Sequence, residues 1–279
     1  MRTDEFVTVD GVELHYSDWG PSDAPPVVCV HGLSRVGRDF DPLARELAGD
    51  YRVVCPDMPG RGLSEWNTEY YTPEAMATLL VEFCDALGFD SVRWVGTSMG
   101  GLLGMALAAG PMADRIERLV LNDVGPSTAE DESAAEGIDR IIDYLTNPAT
   151  FARVTELEAH FRETYATFSE MTDEEWRRLT VTSCRRTDDG TVVQNYDTRI
   201  VEPMVTAESE TDPWVLWEAI DAPTLVLRGT ESDILAAETF EKMQRRRPEI
   251  ETVLVDCGHA PSLNTEKQIE PIRSLFAAE

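Results

Sequence analysis

The stretch that decides the fold is SVRWVGTSMGGLLGMALAA, residues 91–109. Its first five residues are typical of a strand, and the small and apolar residues at its end are typical of a helix. Between them lies GTSMG, residues 96–100, in which small residues allow a tight strand-to-helix turn to close around a serine. Such a turn leaves Ser98 exposed at a helix N-terminus, where the helix dipole and the amide of Met99 favour negative charge on a substrate oxygen. The sequence therefore predicts that Ser98 is a nucleophile.

The rest of the chain also alternates between strand and helix patterns. Residues 6–9 and 12–16 alternate apolar and polar positions around Asp10-Gly11, which predicts an opening antiparallel hairpin. Residues 26–30 and 51–55 are largely apolar, as expected of strands that are buried on both faces of a parallel sheet. Strands that alternate with helices at this spacing predict βαβ units and a mostly parallel sheet.

Four motifs follow one another along the chain. They are His31-Gly32 after one strand, DMPGRGLS at residues 57–64 after the next, the GTSMG turn, and Gly258-His259 near the end. With these motifs in this order, the chain resembles the α/β-hydrolase family over roughly residues 5–123 and 220–279. The resemblance implies an α/β fold with a mostly parallel, eight-stranded sheet flanked by helices. It also implies a core domain of residues 1–123 and 220–279, interrupted by an inserted cap.

Residues 124–219 are the predicted cap, a helical lid. Strand patterns at residues 117–122 and 223–228 lie on either side of this insertion, and between them apolar residues recur at helical spacing, as in Ile138, Ile141, Ile142 and Leu145. The lid also carries Trp214 and Trp217 as candidate walls of a substrate pocket, although core packing is the commoner fate of such aromatics.

A serine nucleophile needs a general base, and the chain has four histidines. His15 lies in the predicted hairpin, and His160 lies in a helical stretch of the lid. The resemblance implies that His31 braces the oxyanion loop and does not transfer protons. His259 follows a strand pattern at residues 252–256 and lies in the loop where the family has its catalytic histidine. We therefore expect His259 to be the general base.

The acid that orients His259 has more than one candidate. Asp233 follows a core strand at the position that the family uses for this acid, and it gives the chain order Ser, Asp, His. Glu231 lies two residues before it. Asp123 ends the strand before the lid, a position that some family members use instead. We expect Asp233 to be the acid, with Asp123 as the main alternative.

The oxyanion formed during acyl transfer needs two backbone donors. We expect one to be the N–H of Met99, directly after the nucleophile. The resemblance implies that the other is the N–H of Leu33, the residue after His31-Gly32. Asp57 and Arg61, in the glycine-rich loop, are expected to brace that loop through hydrogen bonds.

Composition excludes several kinds of partner. The 279 residues include 52 acidic and 24 basic ones, for a net charge of −28, which argues against binding to nucleic acid or to an anionic membrane. The N-terminus has no signal-peptide core, and no apolar run approaches the roughly 20 residues that cross a bilayer. The five cysteines form no CxxC pair. These features predict a cytoplasmic protein. They leave open its oligomeric state and whether its source is adapted to salt. The small-molecule partner is implied by the family resemblance.

The predicted residues form a serine-hydrolase set that needs no metal and no organic cofactor. A serine at this turn argues against the dehalogenase and epoxide-hydrolase branches of the family, which have aspartate there. Meta-cleavage product hydrolases, which split carbon–carbon bonds, typically have a tryptophan shortly after the catalytic histidine, where this chain has Ala260-Pro261-Ser262. We expect cleavage of a small carboxylic ester or related carbonyl compound through an acyl-enzyme. Carbon–carbon bond hydrolysis and non-enzymatic ligand sensing are the alternatives.

Overall fold

Strands and helices alternate along most of the chain. The structure is a computed structural model that describes residues 1–126, 132–167, 170–203 and 212–278, without the side chains of residues 132–135. Its strands are β1 (Thr3–Val9), β2 (Val12–Trp19), β3 (Pro26–Val30), β4 (Arg52–Pro56), β5 (Val92–Thr97), β6 (Ile116–Asn122), β7 (Cys184–Arg186), β8 (Val192–Gln194), β9 (Thr224–Gly229) and β10 (Glu251–Val255).

The described helices lie between these strands and after the last one. They are α1 (Asp41–Leu47), α2 (Pro73–Ala86), α3 (Met99–Ala108), α4 (Glu132–Thr146), α5 (Val154–Thr164), α6 (Asp173–Thr182), α7 (Pro213–Glu218), α8 (Ala237–Arg246) and α9 (Glu266–Ala277). Local sequence explains where several begin. In α2, for example, Pro73 fits the first turn because its missing N–H has no partner there, and the side chain of Thr72 accepts a hydrogen bond from the Ala75 N–H at 3.2 Å.

Eight strands form one sheet in the order β1-β2-β4-β3-β5-β6-β9-β10. The pairs β1–β2 and β2–β4 are antiparallel, and the remaining neighbours are parallel. The predicted opening hairpin and the predicted eight-stranded, mostly parallel sheet are therefore confirmed. Strands β7 and β8 form a separate antiparallel pair.

The sheet is buried on both faces because its central strands are apolar at successive positions. In β3, Val28 and Val30 belong to one apolar cluster, which includes residues of α2, α3 and α8. Val27 and Cys29 point to the opposite face, where residues of α1 and α9 complete a second cluster. This alternation follows from the two-residue repeat of a strand. Each fully buried valine contributes roughly 1.5–3 kcal/mol to stability.

The carboxyl ends of the central parallel strands meet at one edge of the sheet. Thr97 at the end of β5 pairs with Asn122 at the end of β6, and Val255 at the end of β10 pairs with Gly229 at the end of β9. Asn122 also pairs with Leu227 of β9. Ligand sites of parallel α/β sheets lie outside such strand ends. The loops that follow β5, β6, β9 and β10 therefore share one potential site.

The long connection between β6 and β9, residues 123–223, contains α4 to α7 and the β7–β8 pair. Main-chain hydrogen bonds join this connection to the glycine-rich loop. The N–H of Gly62 donates to the carbonyl of Asn195 at 3.0 Å, and the N–H of Asp197 donates to the carbonyl of Gly60 at 2.8 Å. The assignment of residues 124–219 as a cap, separate from a core of residues 1–123 and 220–279, stays a prediction.

Candidate active site

Ser98 occupies the turn between β5 and α3 with a strained backbone, at φ 51° and ψ −114°. Its carbonyl accepts hydrogen bonds from the N–H groups of Gly101 and Leu102, at 2.9 and 3.0 Å, so the helix begins directly after it. A Cβ atom at Gly96 would collide with the backbone of Gly100, which explains why this turn needs glycine there. Ser98 is half-buried, and it lies at the N-terminal end of the helix as the sequence predicts.

His259 lies in the loop after β10, and its imidazole is held by a carboxylate. Its Nδ1 is 2.6 Å from Oδ2 of Asp123. Asp123 follows β6 at φ 58° and is fully buried. Two further donors reach this carboxylate: the N–H of Gly229 at 2.7 Å from Oδ1, and the hydroxyl of Ser232 at 2.6 Å from Oδ2. The three contacts fix the position of this carboxylate, which can orient an imidazole and stabilise its cation.

This geometry corrects the expectation that Asp233 holds His259. Asp233 instead forms an ion pair with Arg140 of α4, and both side chains are at least one-third exposed. Burial opposes ionisation of Asp233, but the hydrogen bond and the charge of Arg140, together with smaller contributions, outweigh it, and the pKa of Asp233 lies below its usual value. Asp123, the alternative, is the residue that the structure places against the histidine.

Asn122 connects the loop that follows His259 to the end of β5, the strand that precedes Ser98. Its side-chain amide donates to Oγ1 of Thr97 at 2.9 Å and to the carbonyl of Pro261 at 2.8 Å. The carbonyl of Asn122 accepts the N–H of Ser98 at 3.1 Å. Sequence reasoning missed Asn122 and also Ser232, because a single polar residue after a strand has no pattern that reveals its partner.

Leu33 and Met99, the predicted oxyanion residues, line one cavity together with Ser98. Arg61 contacts both of them. Its Nε donates to the carbonyl of Leu33 at 2.7 Å, and a terminal nitrogen lies 3.7 Å from the sulfur of Met99. Arg61 is fully buried, and this burial lowers its pKa to about 10, so the guanidinium remains charged at neutral pH. That these two amides bind the oxyanion stays a prediction.

The cavity beside Ser98 measures about 450 Å³ and is mostly apolar. Glu74 is the one charged side chain among its described lining residues. The lining residues are Leu33, Tyr71, Pro73, Glu74, Met76, Ala77, Ser98, Met99, Leu102, Leu103, Ala106, Leu107, Pro111, Val124, Gly125, Ile138, Ile141, Ile200, Pro203, Pro213 and Ile234. A cavity of this size and character fits a small ligand with an apolar part.

Comparison with known proteins agrees with this fold. A family model described as the alpha/beta hydrolase family matches residues 27–270. The chain belongs to this family. The hydrolase is 39% identical over 270 residues to a 3-hydroxybutyrate-oligomer hydrolase of Cupriavidus necator, covering 92% of this chain and 90% of that protein.

Two solved structures resemble the hydrolase over nearly its whole length. An alpha/beta hydrolase from Novosphingobium aromaticivorans is 36% identical with a TM-score of 0.87, covering 99% of this chain and 98% of that one. A putative hydrolase from Rickettsia typhi is 27% identical with a TM-score of 0.88, at the same coverage. The hydrolase is therefore an enzyme of a family with known ester-cleaving members.

His31 braces the loop that carries Gly32 and Leu33. Its Nδ1 lies 2.6 Å from the carbonyl of Gly32, and its Nε2 accepts the N–H of Met58 at 2.9 Å. One ring nitrogen must donate and the other accept, so these contacts select a single neutral tautomer. Complete burial lowers the pKa of His31 to about 4.

Asp57 braces the glycine-rich loop of the hydrolase. Its carboxylate accepts the N–H groups of Gly37 and Leu63, at 2.7 and 3.0 Å. It also lies 2.7 Å from Nδ1 of the buried His15. Burial alone would lower the pKa of His15, but the contact with Asp57 outweighs it and raises that pKa. These groups therefore hold the loop that carries Arg61.

Trp214 and Trp217 do not line the cavity of the hydrolase. Both are buried in the apolar cluster on the α2 and α3 side of the sheet, so they pack in the core and do not form a substrate pocket.

In the ranges that the structure describes, no group of three or more His, Cys, Asp or Glu side chains could hold a metal ion. None of the described helices is long and apolar enough to cross a bilayer.

Proposed function

We propose that the hydrolase cleaves small carboxylic esters through an acyl-enzyme on Ser98. The observation that carries this proposal is the 2.6 Å contact between His259 Nδ1 and the buried carboxylate of Asp123, at the sheet edge that also presents Ser98. A buried carboxylate on Nδ1 leaves Nε2 as the acceptor for a serine proton, which is the arrangement that serine hydrolases need.

The proposed reaction has two halves. Nε2 of His259 accepts the proton of Ser98 while Oγ of Ser98 attacks the ester carbonyl carbon. The N–H groups of Leu33 and Met99 stabilise the negative oxygen of the tetrahedral intermediate. The imidazolium, stabilised by Asp123, then protonates the departing alcohol. In the second half, His259 takes a proton from water, and the resulting hydroxide attacks the acyl carbon. The bond from that carbon to Ser98 Oγ breaks, Oγ takes the proton back from His259, and the acyl group leaves as a carboxylic acid.

The substrate is expected to place its acyl group in the 450 Å³ cavity, beside Ser98 and Met99. Several residues of the proposed cap, residues 124–219, contribute to this lining, among them Ile138, Ile141 and Ile200. The activity for which the Cupriavidus necator relative is named, hydrolysis of 3-hydroxybutyrate oligomers, supports an ester substrate built from short hydroxy acids. We propose this class for the hydrolase.

The test is hydrolysis of p-nitrophenyl esters, from acetate to octanoate, by wild type and by Ser98→Ala. Loss of the nucleophile is expected to reduce kcat by about 10⁴-fold or more. Ser91→Ala is the matched control, because Ser91 lies before β5, at the opposite end of that strand, where its hydroxyl donates to Glu117. This control should retain wild-type kcat.

A fluorophosphonate probe supplies a direct readout of the nucleophile. It should add its mass to wild type and to Ser91→Ala but not to Ser98→Ala. A folded Ser98→Ala variant with full activity would contradict the mechanism. If the folded wild-type protein cleaves none of the esters, the esterase proposal fails, and carbon–carbon bond hydrolysis and ligand sensing become the proposed functions.

A further inference from the structure

A second, smaller cavity of about 80 Å³ lies beside the loop that follows His259. Gly32, Thr97 and residues 260–264 line it from the sheet edge that carries the site, and Tyr165 and Arg178 line it from the β6–β9 connection. Since a water needs roughly 10–15 Å³ by this kind of measure, the cavity has room for several waters or for a small organic group.

Arg35 brings an incompletely satisfied guanidinium to this cavity. Its Nε and one terminal nitrogen donate to Asp39 at 2.7 and 2.8 Å, and the same terminal nitrogen donates to Ser183 at 3.1 Å. The other terminal nitrogen is buried without a hydrogen-bond partner in the described part of the chain. The ring of Tyr165 lies 5.4 Å from the guanidinium carbon. A buried charged donor without a partner is unfavourable, and an acceptor inside the cavity would satisfy it.

Arg178 of α6 adds a second positive charge. It lines the same cavity as Arg35, and it also lines a neighbouring pocket together with Glu174 and Glu175. The one carboxylate among the described lining residues is that of Asp39, which is already bound by Arg35. The cavity therefore has a net positive charge in a chain whose net charge is −28. Apolar side chains such as Met171 and Leu263 form much of the remaining wall. This combination fits a small organic anion with an apolar part.

The cavity lies close to Ser98, on the other side of Gly32. A Cβ atom placed on Gly32 would be 3.6 Å from Cγ of Arg35 and 3.8 Å from Cβ of Ser98, so little more than this glycine separates the two side chains. The alcohol that leaves an ester must lie beside the histidine that protonates it. Residues 260–264, directly after His259, form one wall of this cavity.

We propose that this cavity binds the carboxylate of a hydroxy-acid leaving group, through Arg35 and Arg178. This inference rests on the proposed ester-cleaving function and names its substrate class: esters whose alcohol part is a 3-hydroxy acid with a free carboxylate. An oligomer of 3-hydroxybutyrate ends in such a group, with two carbons between the ester oxygen and the carboxylate carbon.

The reaction at the proposed site balances without a co-reactant. The bond from Ser98 Oγ to the carbonyl carbon forms, and the bond from that carbon to the hydroxy-acid oxygen breaks. This oxygen takes the proton from His259, so that the hydroxy acid leaves as its carboxylate anion. Water then supplies the hydroxyl group that releases the acyl chain from Ser98.

The test compares two substrates that differ in one charge. They are the linear dimer of 3-hydroxybutyrate and the methyl ester of that dimer, with cleavage of the internal ester followed by chromatography. Wild type should favour the free acid in kcat/KM by about 10- to 100-fold, the range for a hydrogen-bonded charge. Arg178→Gln should lower this acid-to-methyl-ester ratio by about tenfold or more.

Arg177→Gln is the matched control, since Arg177 is the exposed neighbour of Arg178 on α6 and lies outside the cavity lining. Its ratio should equal that of wild type. A wild-type ratio near one would overturn the proposal, and so would an equal fall in the Arg177→Gln and Arg178→Gln variants.

Calorimetry on Ser98→Ala separates this proposal from the proposed function. 3-Hydroxybutyrate should bind to this variant, its methyl ester should bind at least about tenfold more weakly, and adding Arg178→Gln should abolish the difference. If p-nitrophenyl esters are cleaved but 3-hydroxybutyrate does not bind, the cavity proposal fails and the esterase proposal stands. If 3-hydroxybutyrate binds as described but no ester is cleaved, the binding site stands and the esterase proposal fails.

Discussion

Asp123→Asn should inactivate the hydrolase by changing the tautomer of His259. The Gly229 N–H donates to Oδ1 of Asp123 at 2.7 Å, so an asparagine must keep its oxygen at that position. Its amide nitrogen then takes the place of Oδ2, which lies 2.6 Å from Nδ1 of His259. There the amide donates, Nδ1 becomes the acceptor, and the ring proton moves to Nε2. With a proton on Nε2, the imidazole cannot accept one from Ser98.

The expected loss is about 10⁴-fold in kcat, the size seen when a catalytic imidazole is held in the wrong tautomer, or about 5 kcal/mol of transition-state stabilisation. Asp233→Asn is the matched control. The ion pair of Asp233 with Arg140 is partly exposed on both sides, and such pairs contribute roughly 0–1 kcal/mol. Asp233→Asn should therefore change kcat by no more than about fivefold.

The assay is steady-state hydrolysis of p-nitrophenyl butyrate by both variants and wild type, with thermal unfolding to show that each variant is folded. The side-chain oxygen of the introduced asparagine should keep the hydrogen bond from Gly229, so a folded Asp123→Asn protein is expected. The reasoning is refuted if Asp123→Asn stays within tenfold of wild type while Asp233→Asn loses most activity. In that case Asp233 would hold His259 during catalysis.

Two further predictions concern the loops around the proposed oxyanion site. Arg61→Met removes the hydrogen bond to the Leu33 carbonyl and should lower kcat by about 10- to 100-fold with little change in KM, because the loop that carries the Leu33 amide loses its support. Separate measurements of kcat and KM check this. An unchanged kcat in a folded variant would show that Arg61 contributes to stability only. Because the pKa of His31 falls from 6.5 to about 4 on folding, His31 stabilises the fold fully above pH 6.5, and about 3 kcal/mol is lost as the pH falls through 6.5 towards 4. His31→Gln should remove this part of the acid sensitivity in urea unfolding at pH 7 and pH 4.5, and an identical loss in wild type and variant would show that another group causes it.

Local sterics explain why the sequence predicts the turn at Ser98 so well. A tight strand-to-helix turn needs small residues at defined positions. Residues 91–109 contain the strand, these small residues and the helix in one short segment. The same holds for the buried strands, whose apolar runs predict a mostly parallel sheet because both faces must be covered. These features depend on residues that are close in sequence, so they can be predicted from one sequence.

The acid beside His259 depends on neighbours in space. Asp123 and Asp233 both follow strands that end at the same edge of the sheet, so their sequence positions make both of them candidates for the acid beside His259. The groups that distinguish the two aspartates come from other parts of the chain. Gly229 and Ser232 donate hydrogen bonds to Asp123, and Arg140 of α4 forms an ion pair with Asp233. Aspartate tolerates the positive φ of Asp123 better than most residues do, so the residue type does not separate Asp123 from Asp233. Tertiary hydrogen bonds therefore decide an assignment that the motif order leaves open.

The proposed chemistry and the proposed specificity come from different parts of the chain. Ser98, Asp123 and His259 follow strands whose register in the sheet holds their positions. Both cavities, in contrast, take much of their lining from the β6–β9 connection, with isoleucines of α4 at the larger one and Arg178 of α6 at the smaller one. Since the sheet holds the reacting groups and the connection surrounds the substrate, substitutions in the connection should change which esters are cleaved while Ser98 remains reactive towards a small phosphonate.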